Sequence, residues 1–158
     1  CVSHYPDYTS SVEKELNKFL LEKVESCFTV LENQLDNKGY DFNIGESIVI
    51  QSLFRPDIVE IKLLADIAFS KEGFSRSIKE FNIFVSYPAY ELTSLAALIT
   101  NREAQGCYFS DDGFMILHPE IDIRKFTTSD SSKIYTITHK PTGKIINFAV
   151  RGCAIPLQ

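Results

Sequence analysis

Apolar residues recur at three- and four-residue steps through the first part of the chain, which is the spacing of one face of an α-helix. The pattern runs from Val12 to Leu35, with charged residues between the apolar ones. Ser10 followed by Glu13 is a capping-box signature for a helix start, and Gly39 can take the left-handed conformation that closes helices. The sequence therefore predicts one long amphipathic helix between these two signals.

The apolar period then changes to two, which is typical of half-buried β-strands. The alternation is clearest from Ile58 to Ser70, after a β-rich segment at Ser47 to Phe54 and before a third strand whose best part is Phe81 to Val85. Pro56 and the loop at Lys71 to Gly73 suit the turns between these strands. We expect a three-stranded meander whose apolar face is covered by the long helix. The predicted contact joins Leu16, Phe19, Leu20, Phe28 and Leu31 of the helix to Val59, Ile61, Leu63 and Ile67 of the strands.

A second helix and further strands are predicted in the C-terminal half. Pro88 suits a first helical turn, and the apolar stripe after it predicts a helix over Ala89 to Glu103. Asp111-Asp112-Gly113 is a turn signal, and β-like segments follow it. These predicted strands are Phe114 to Leu117, Ile121 to Phe126, Lys133 to His139 and Lys144 to Val150.

This order of elements predicts the fold class. Helices segregated from consecutive antiparallel strands are typical of α+β proteins and not of parallel βαβ sheets. The expected fold is α+β, with the long N-terminal helix packed on an antiparallel meander sheet, then a second helix and C-terminal β-hairpins. A chain of 158 residues favours a single domain over 1–158.

Composition narrows the classes of partner. The formal net charge is −5 at pH 7 and the chain has no Lys/Arg cluster, which argues against nucleic acid because phosphate neutralisation supplies much of that affinity. No apolar run approaches the roughly 20 residues that span a bilayer. No Gly-rich phosphate loop occurs either, so no nucleotide and no other cofactor is expected.

The four cysteines are Cys1, Cys27, Cys107 and Cys153, and none forms a CxxC motif. This removes the usual thioredoxin and zinc-ribbon interpretations and leaves disulfides or free core thiols. Four cysteines allow three pairings; we favour Cys1 with Cys27 and Cys107 with Cys153, since each bond would tie a loose end to a regular element. Disulfides would indicate an oxidising, extracytoplasmic compartment.

Cys1 is also the first residue, and the single methionine is Met115, so we expect a processed product or a piece of a longer protein. A cysteine at a cleaved N-terminus is where a lipoprotein is acylated. A membrane link is therefore expected only through a missing upstream anchor or a lipidated Cys1. The alternative is that Cys1 only marks the boundary of the piece.

The stretch from Cys107 to Asp122 holds most of the candidate chemistry. Its possible ligands for a hard cation are Asp111, Asp112, His118, Glu120 and Asp122. Their spacing is not that of an EF-hand, because an apolar segment follows Gly113 at once, so the carboxylates are interpreted as a turn and an exposed strand face, without a metal. Cys107 and His118 are the only nucleophile and base close in sequence, and no known peptidase signature surrounds them. No catalytic residue is assigned.

The runs ELNKFLLEKVESCFTVLENQLDNKGYDFNIGE, VEIKLLADIAFSKEGFSRSIKEFNIFV and ELTSLAALI resemble ectodomains of uncharacterised membrane-anchored proteins of small-genome (DPANN-type) archaea. The shared features are an amphipathic helix containing a cysteine, a link like GYDFNIGE, two or three strands, and a helix with LA, over Glu13 to Ile99. The resemblance implies an extracytoplasmic domain.

The function expected is that of a non-enzymatic extracytoplasmic or cell-surface domain that binds a protein or cell-surface partner, self-association included. Seven tyrosines without tryptophan are compatible with a binding surface and equally with sheet packing. The alternative is a hydrolase or metal-binding enzyme that uses the Cys107 to Asp122 region.

Overall fold

The computed structural model describes residues 7–151, which fall into two compact units. The helix–sheet unit comprises Ser10–Phe54 and Val59–Val85. The C-terminal unit comprises, among the described residues, 7–9, Arg55–Ile58 and 86–151. The single α+β domain expected from the chain length is therefore organised as two units.

The first part of the chain folds as helix α1 (Tyr8–Asp36) and strands β1 (Asp41–Arg55), β2 (Ile58–Lys71) and β3 (Phe74–Ser86). The strands form one sheet in the order β1-β2-β3, so consecutive strands are neighbours, as a meander requires. The hairpin between β2 and β3 turns at Glu72 and Gly73, which have φ of 48° and 85°. Two successive left-handed residues match the twist of a tight β-hairpin.

The core of the helix–sheet unit confirms the predicted packing of the helix on the meander. Phe28 is 9% exposed and lies in one buried cluster with residues of β1 and β2, namely Ile50, Leu63, Ala65 and Ile67. Along β2 the residues of one face are buried or half-buried, as the period of two predicts. Of the other predicted contact residues, Leu20, Leu31 and Ile61 pack against this cluster. Leu16 and Val59 do not belong to it, and Phe19 is 57% exposed and lies outside the stripe.

The start of α1 differs from the predicted capping box. The helix begins at Tyr8, so Ser10 lies inside its first turn. The Glu13 carboxylate accepts a hydrogen bond from the main-chain N–H of Phe54 in β1 at 2.7 Å. The sequence predicts that the Glu13 side chain caps the start of its own helix. In the structure this side chain instead accepts a hydrogen bond from the main chain of β1.

The C-terminal unit is built from helix α2 (Ala89–Gly106), helix α3 (Asp111–Leu117) and strands β4 (Ile121–Thr127), β5 (Lys133–His139) and β6 (Lys144–Val150). The strands form a second antiparallel sheet in the order β4-β5-β6, with Tyr135 opposite Lys125 on one side and Phe148 on the other. Gly143, at φ 66°, lies in the turn of the last hairpin. One face of α2 packs on this sheet around Leu92, Ala96, Ile99, Tyr135 and Ile137, each at most 1% exposed.

The segment after Asp111 is a helix, which corrects the predicted turn and strand. The main-chain N–H of Phe114 bonds Ser110 O, and that of His118 bonds Phe114 O, at 3.1 and 2.9 Å. Phe114 and Met115 pack on the core while the next two residues are exposed, a pattern that strand alternation does not allow. Two aspartates in the first turn favour the helix further, because they complement its dipole.

Candidate functional site

The carboxylates of the Cys107 to Asp122 stretch do not converge on one site in the described structure. Asp111 is bonded by the Lys125 ammonium at 2.9 Å, and both side chains are largely buried. Asp112 lies exposed in the first turn of α3. The predicted role of the pair in a turn is therefore wrong in structure, since both residues belong to a helix.

His118, Glu120 and Asp122 do not join the two aspartates in a ligand set. His118 contacts Glu120 at 3.3 Å and stacks on the ring of Phe114, with centroids 4.2 Å apart. Asp122 pairs instead with Arg124 at 3.2 Å. Hydrogen bonds at Glu120, first from its own backbone, lower the pKa of that carboxyl. Across residues 7–151, no three His, Cys, Asp or Glu side chains come together as metal ligands would.

The cysteine predictions have two different outcomes. Cys27 is a free, exposed thiol, which contradicts the predicted bond to Cys1; Cys1 itself lies outside the described residues. Cys107 is disulfide-bonded, so its sulfur is not a nucleophile in this state. Its predicted partner, Cys153, lies outside the described residues, and that pairing stays a prediction.

A buried ionic network, which the sequence did not indicate, lies beside Cys107. The carboxylate of Glu103, only 3% exposed, accepts hydrogen bonds from the Tyr135 hydroxyl, the Lys133 ammonium and the main-chain N–H of Phe109. Lys133 also donates to the Cys107 carbonyl at 2.7 Å. Each oxygen of Glu103 has a donor, so the arrangement stabilises a buried charge and fixes the end of α2 on β5.

The strongest candidate for a functional surface is an edge of the first sheet. The two edges of that sheet differ in whether helix side chains bond their outer main-chain groups. At the β1 edge, the main-chain N–H of Ser52 donates to Asn17 Oδ1 and that of Phe54 donates to Glu13 Oε1, both at 2.7 Å. The Ser52 hydroxyl also donates to the Glu13 carbonyl at 3.2 Å. Side chains of α1 thus occupy main-chain donors that an incoming strand would need. We call this the closed edge.

The opposite edge is β3, thirteen residues long, and we call it the open edge. Among the described residues, β3 hydrogen-bonds only to β2, and no helix side chain caps its outer main-chain groups as Glu13 and Asn17 cap β1. Natural proteins usually blunt such an edge with proline, charged side chains, a short strand or a cover. The charged residues of β3 are Arg76, Lys79 and Glu80, so the segment from Phe81 to Ser86 carries none. Instead β3 exposes large apolar side chains: Phe74 is 56% exposed, Ile83 49%, Phe84 65% and Val85 43%.

An apolar groove runs beside the open edge within the helix–sheet unit. Its volume is about 670 Å³, and it lies between the C-terminal half of α1 and the β3 side of the sheet. Its walls include Leu31 and Leu35 of α1, and Ile78, Phe81 and Ile83 of β3. Apolar clefts of this size are typical binding sites. The open edge therefore offers main-chain groups and apolar surface together.

A second apolar surface lies on the C-terminal unit. Leu98, Tyr108 and Leu117, 40%, 66% and 77% exposed, line a hollow of about 300 Å³ with Arg102 at its rim. This hollow is smaller than the groove, and none of the described residues that line it belongs to a strand.

Comparison of the chain with protein-family models, with curated proteins and with solved structures finds no match. Within residues 7–151, no helix has the length and apolar character needed to span a bilayer.

Proposed function

We propose that this chain is a non-enzymatic extracytoplasmic domain that binds a partner protein through the open edge of its helix–sheet unit. One observation carries the proposal: within residues 7–151, the same sheet has one edge closed by helix side chains and one edge without such a cap, along which apolar residues are exposed. An uncapped edge of this kind is a template for an added strand, whose main chain gives affinity and whose alternate side chains fill pockets.

Support for the location comes from a different part of the molecule. Cys107 is disulfide-bonded, and disulfides persist chiefly outside the cytosol. The resemblance of the segment from Glu13 to Ile99 to archaeal ectodomains points to the same compartment. In this proposal, any attachment to a membrane is through an upstream anchor or a lipid on Cys1. For the alternative, an enzyme that uses Cys107 to Asp122, the described residues contain no group of three His, Cys, Asp or Glu side chains placed to hold a metal ion.

The proposal is tested by photo-crosslinking at the open edge. A photoreactive phenylalanine analogue replaces Ile83 in the full-length protein, expressed in the organism that makes it, and the cross-linked peptides are identified by mass spectrometry. We expect a polypeptide partner joined at position 83, recovered from the cell-surface fraction.

The matched control places the same analogue at Leu53, which is 44% exposed on the closed edge. A partner joined at 83 but not at 53 supports the proposal. Equal yields at both positions, or no cross-link at 83, would overturn it. Recovery of the protein from the cytosol with its thiols reduced would overturn the location.

A further inference from the structure

We infer that the partner at the open edge is a second copy of this chain, paired antiparallel through β3 about a two-fold axis at Ile83. The inference rests on the proposed function and specifies its partner. An antiparallel pair of identical strands is an isologous contact, the commonest kind in homodimers, and it satisfies the outer main-chain groups of both edges at once.

The sequence of the open edge is complementary to itself in this register. When two copies pair antiparallel about Ile83, a residue two positions before Ile83 faces the residue two positions after it in the second copy. Phe81 therefore lies opposite Val85 of the second copy, and Ile83 lies opposite Ile83. Aromatic residues opposite β-branched ones are favourable cross-strand pairs. The segment Phe81 to Val85 carries no charge. Four of its five residues, all but Asn82, favour β-strands, and it contains no proline.

The positions of the charged residues of β3 and of the apolar groove favour the register about Ile83. In this register the paired ladder covers residues 80–86 of each β3, and its one charged residue, Glu80, faces Ser86 of the second copy, so no like charges meet. Phe81 and Ile83 both line the apolar groove. Pairing of the two β3 strands would therefore extend the groove wall from one copy into the other. It would also bury the exposed parts of the Phe81 and Ile83 side chains.

The experiment is sedimentation equilibrium of the purified full-length chain over about 1 μM to about 1 mM, the range in which dimers of modest affinity dissociate. We expect a monomer–dimer equilibrium. Ile83→Lys and Ile83→Glu should each weaken the dimer by roughly tenfold or more, because each places like charges opposite each other at the axis. Mixing the two variants should restore dimers as Lys–Glu pairs, which only a residue on the axis can do.

Leu53→Lys is the matched control, and it should leave the dissociation constant unchanged while circular dichroism shows all variants folded. A wild-type chain that stays monomeric throughout the range would overturn the inference. Dimers that survive both Ile83 variants, or weakened variants that fail to rescue each other, would also overturn it. If the chain is monomeric but position 83 cross-links a different polypeptide in cells, the proposed function stands and only the second copy is rejected.

Discussion

Among the described residues, Tyr135 has the largest fully buried side chain, and its hydroxyl donates a hydrogen bond to the charged carboxylate of Glu103. Burial, and then the hydrogen bond to the Glu103 carboxylate, raise the pKa of Tyr135 well above its ordinary value. Ionisation would place a second negative charge beside Glu103 in the core of the C-terminal unit. The folded state therefore retains the phenol proton more strongly than the unfolded chain does.

The pH dependence of stability follows from that difference in pKa. A raised pKa in the folded state contributes stability that is fully present below the unfolded value of about 10 and is lost as the pH rises above it. We expect the free energy of unfolding, measured with urea, to fall more steeply between pH 9 and 11 in the wild type than in Tyr135→Phe. Tyr90→Phe, at a 46% exposed site, should keep the wild-type slope. Parallel slopes for all three proteins would contradict this assignment.

At the level of single elements, α1 stabilises its unit chiefly through Phe28. Phe28→Ala removes a large buried ring and leaves a cavity, so the free energy of unfolding should fall by about 3 to 5 kcal/mol in urea titrations. Phe19→Ala serves as the control on the same helix, since Phe19 is 57% exposed, and it should change stability by no more than about 0.5 kcal/mol. Equal losses for the two variants would show that the packing has been assigned to the wrong face.

The two sheet edges should differ in amide hydrogen exchange. The main-chain N–H groups of Ser52 and Phe54 are bonded by α1 side chains and should exchange slowly, and Asn17→Ala should speed exchange at Ser52. Asn33→Ala is the matched control, because the Asn33 amide bonds only within its own helix, at Thr29 O. Rapid exchange at Ser52 in the wild type would mean that the edge is not closed in solution. The measurement uses dilute protein, so that pairing at β3 does not interfere.

Prediction from sequence succeeded for elements whose pattern is periodic over many residues. The alternation of apolar and polar residues in β2 and the apolar stripe around Phe28 in α1 both arise because one face of the element is buried. Both were predicted. It failed for α3, because seven residues are too few to separate a helical period from an apolar run. Phe19 was misplaced for a related reason: an apolar residue near a stripe is not always part of it.

The strand of the open edge was predicted, but the difference between the two edges was beyond sequence analysis because the contacts that close one of them join distant residues. Glu13 meets Phe54 across 41 positions, and Glu103 meets Tyr135 across 32. No local pattern marks such pairs. The distinction between a closed and an open edge depends on which strand the helix side chains reach, and only the folded sheet determines that.

At the scale of the whole molecule, the oxidation state of the cysteines is the structural feature that bears on the proposed compartment. Labelling the folded protein with iodoacetamide before and after reduction should modify Cys27 at once and Cys107 only after reduction, as read by peptide mass spectrometry. If Cys153 is the partner, the bond closes a loop of about 46 residues and reduction should lower stability by roughly 4 kcal/mol on the chain-entropy model. Labelling of Cys107 without reductant would remove the support for an extracytoplasmic location.

The closed edge also bears on the order in which the protein is made. Glu13 and Asn17 precede β1 in the chain, so the side chains that cap Ser52 and Phe54 leave the ribosome before the strand they protect. β3 is synthesised last of the three strands. A nascent chain can therefore shield β1 from neighbouring polypeptides as soon as that strand appears. The strand that we propose as the binding edge is completed only after β1 and β2 have been synthesised.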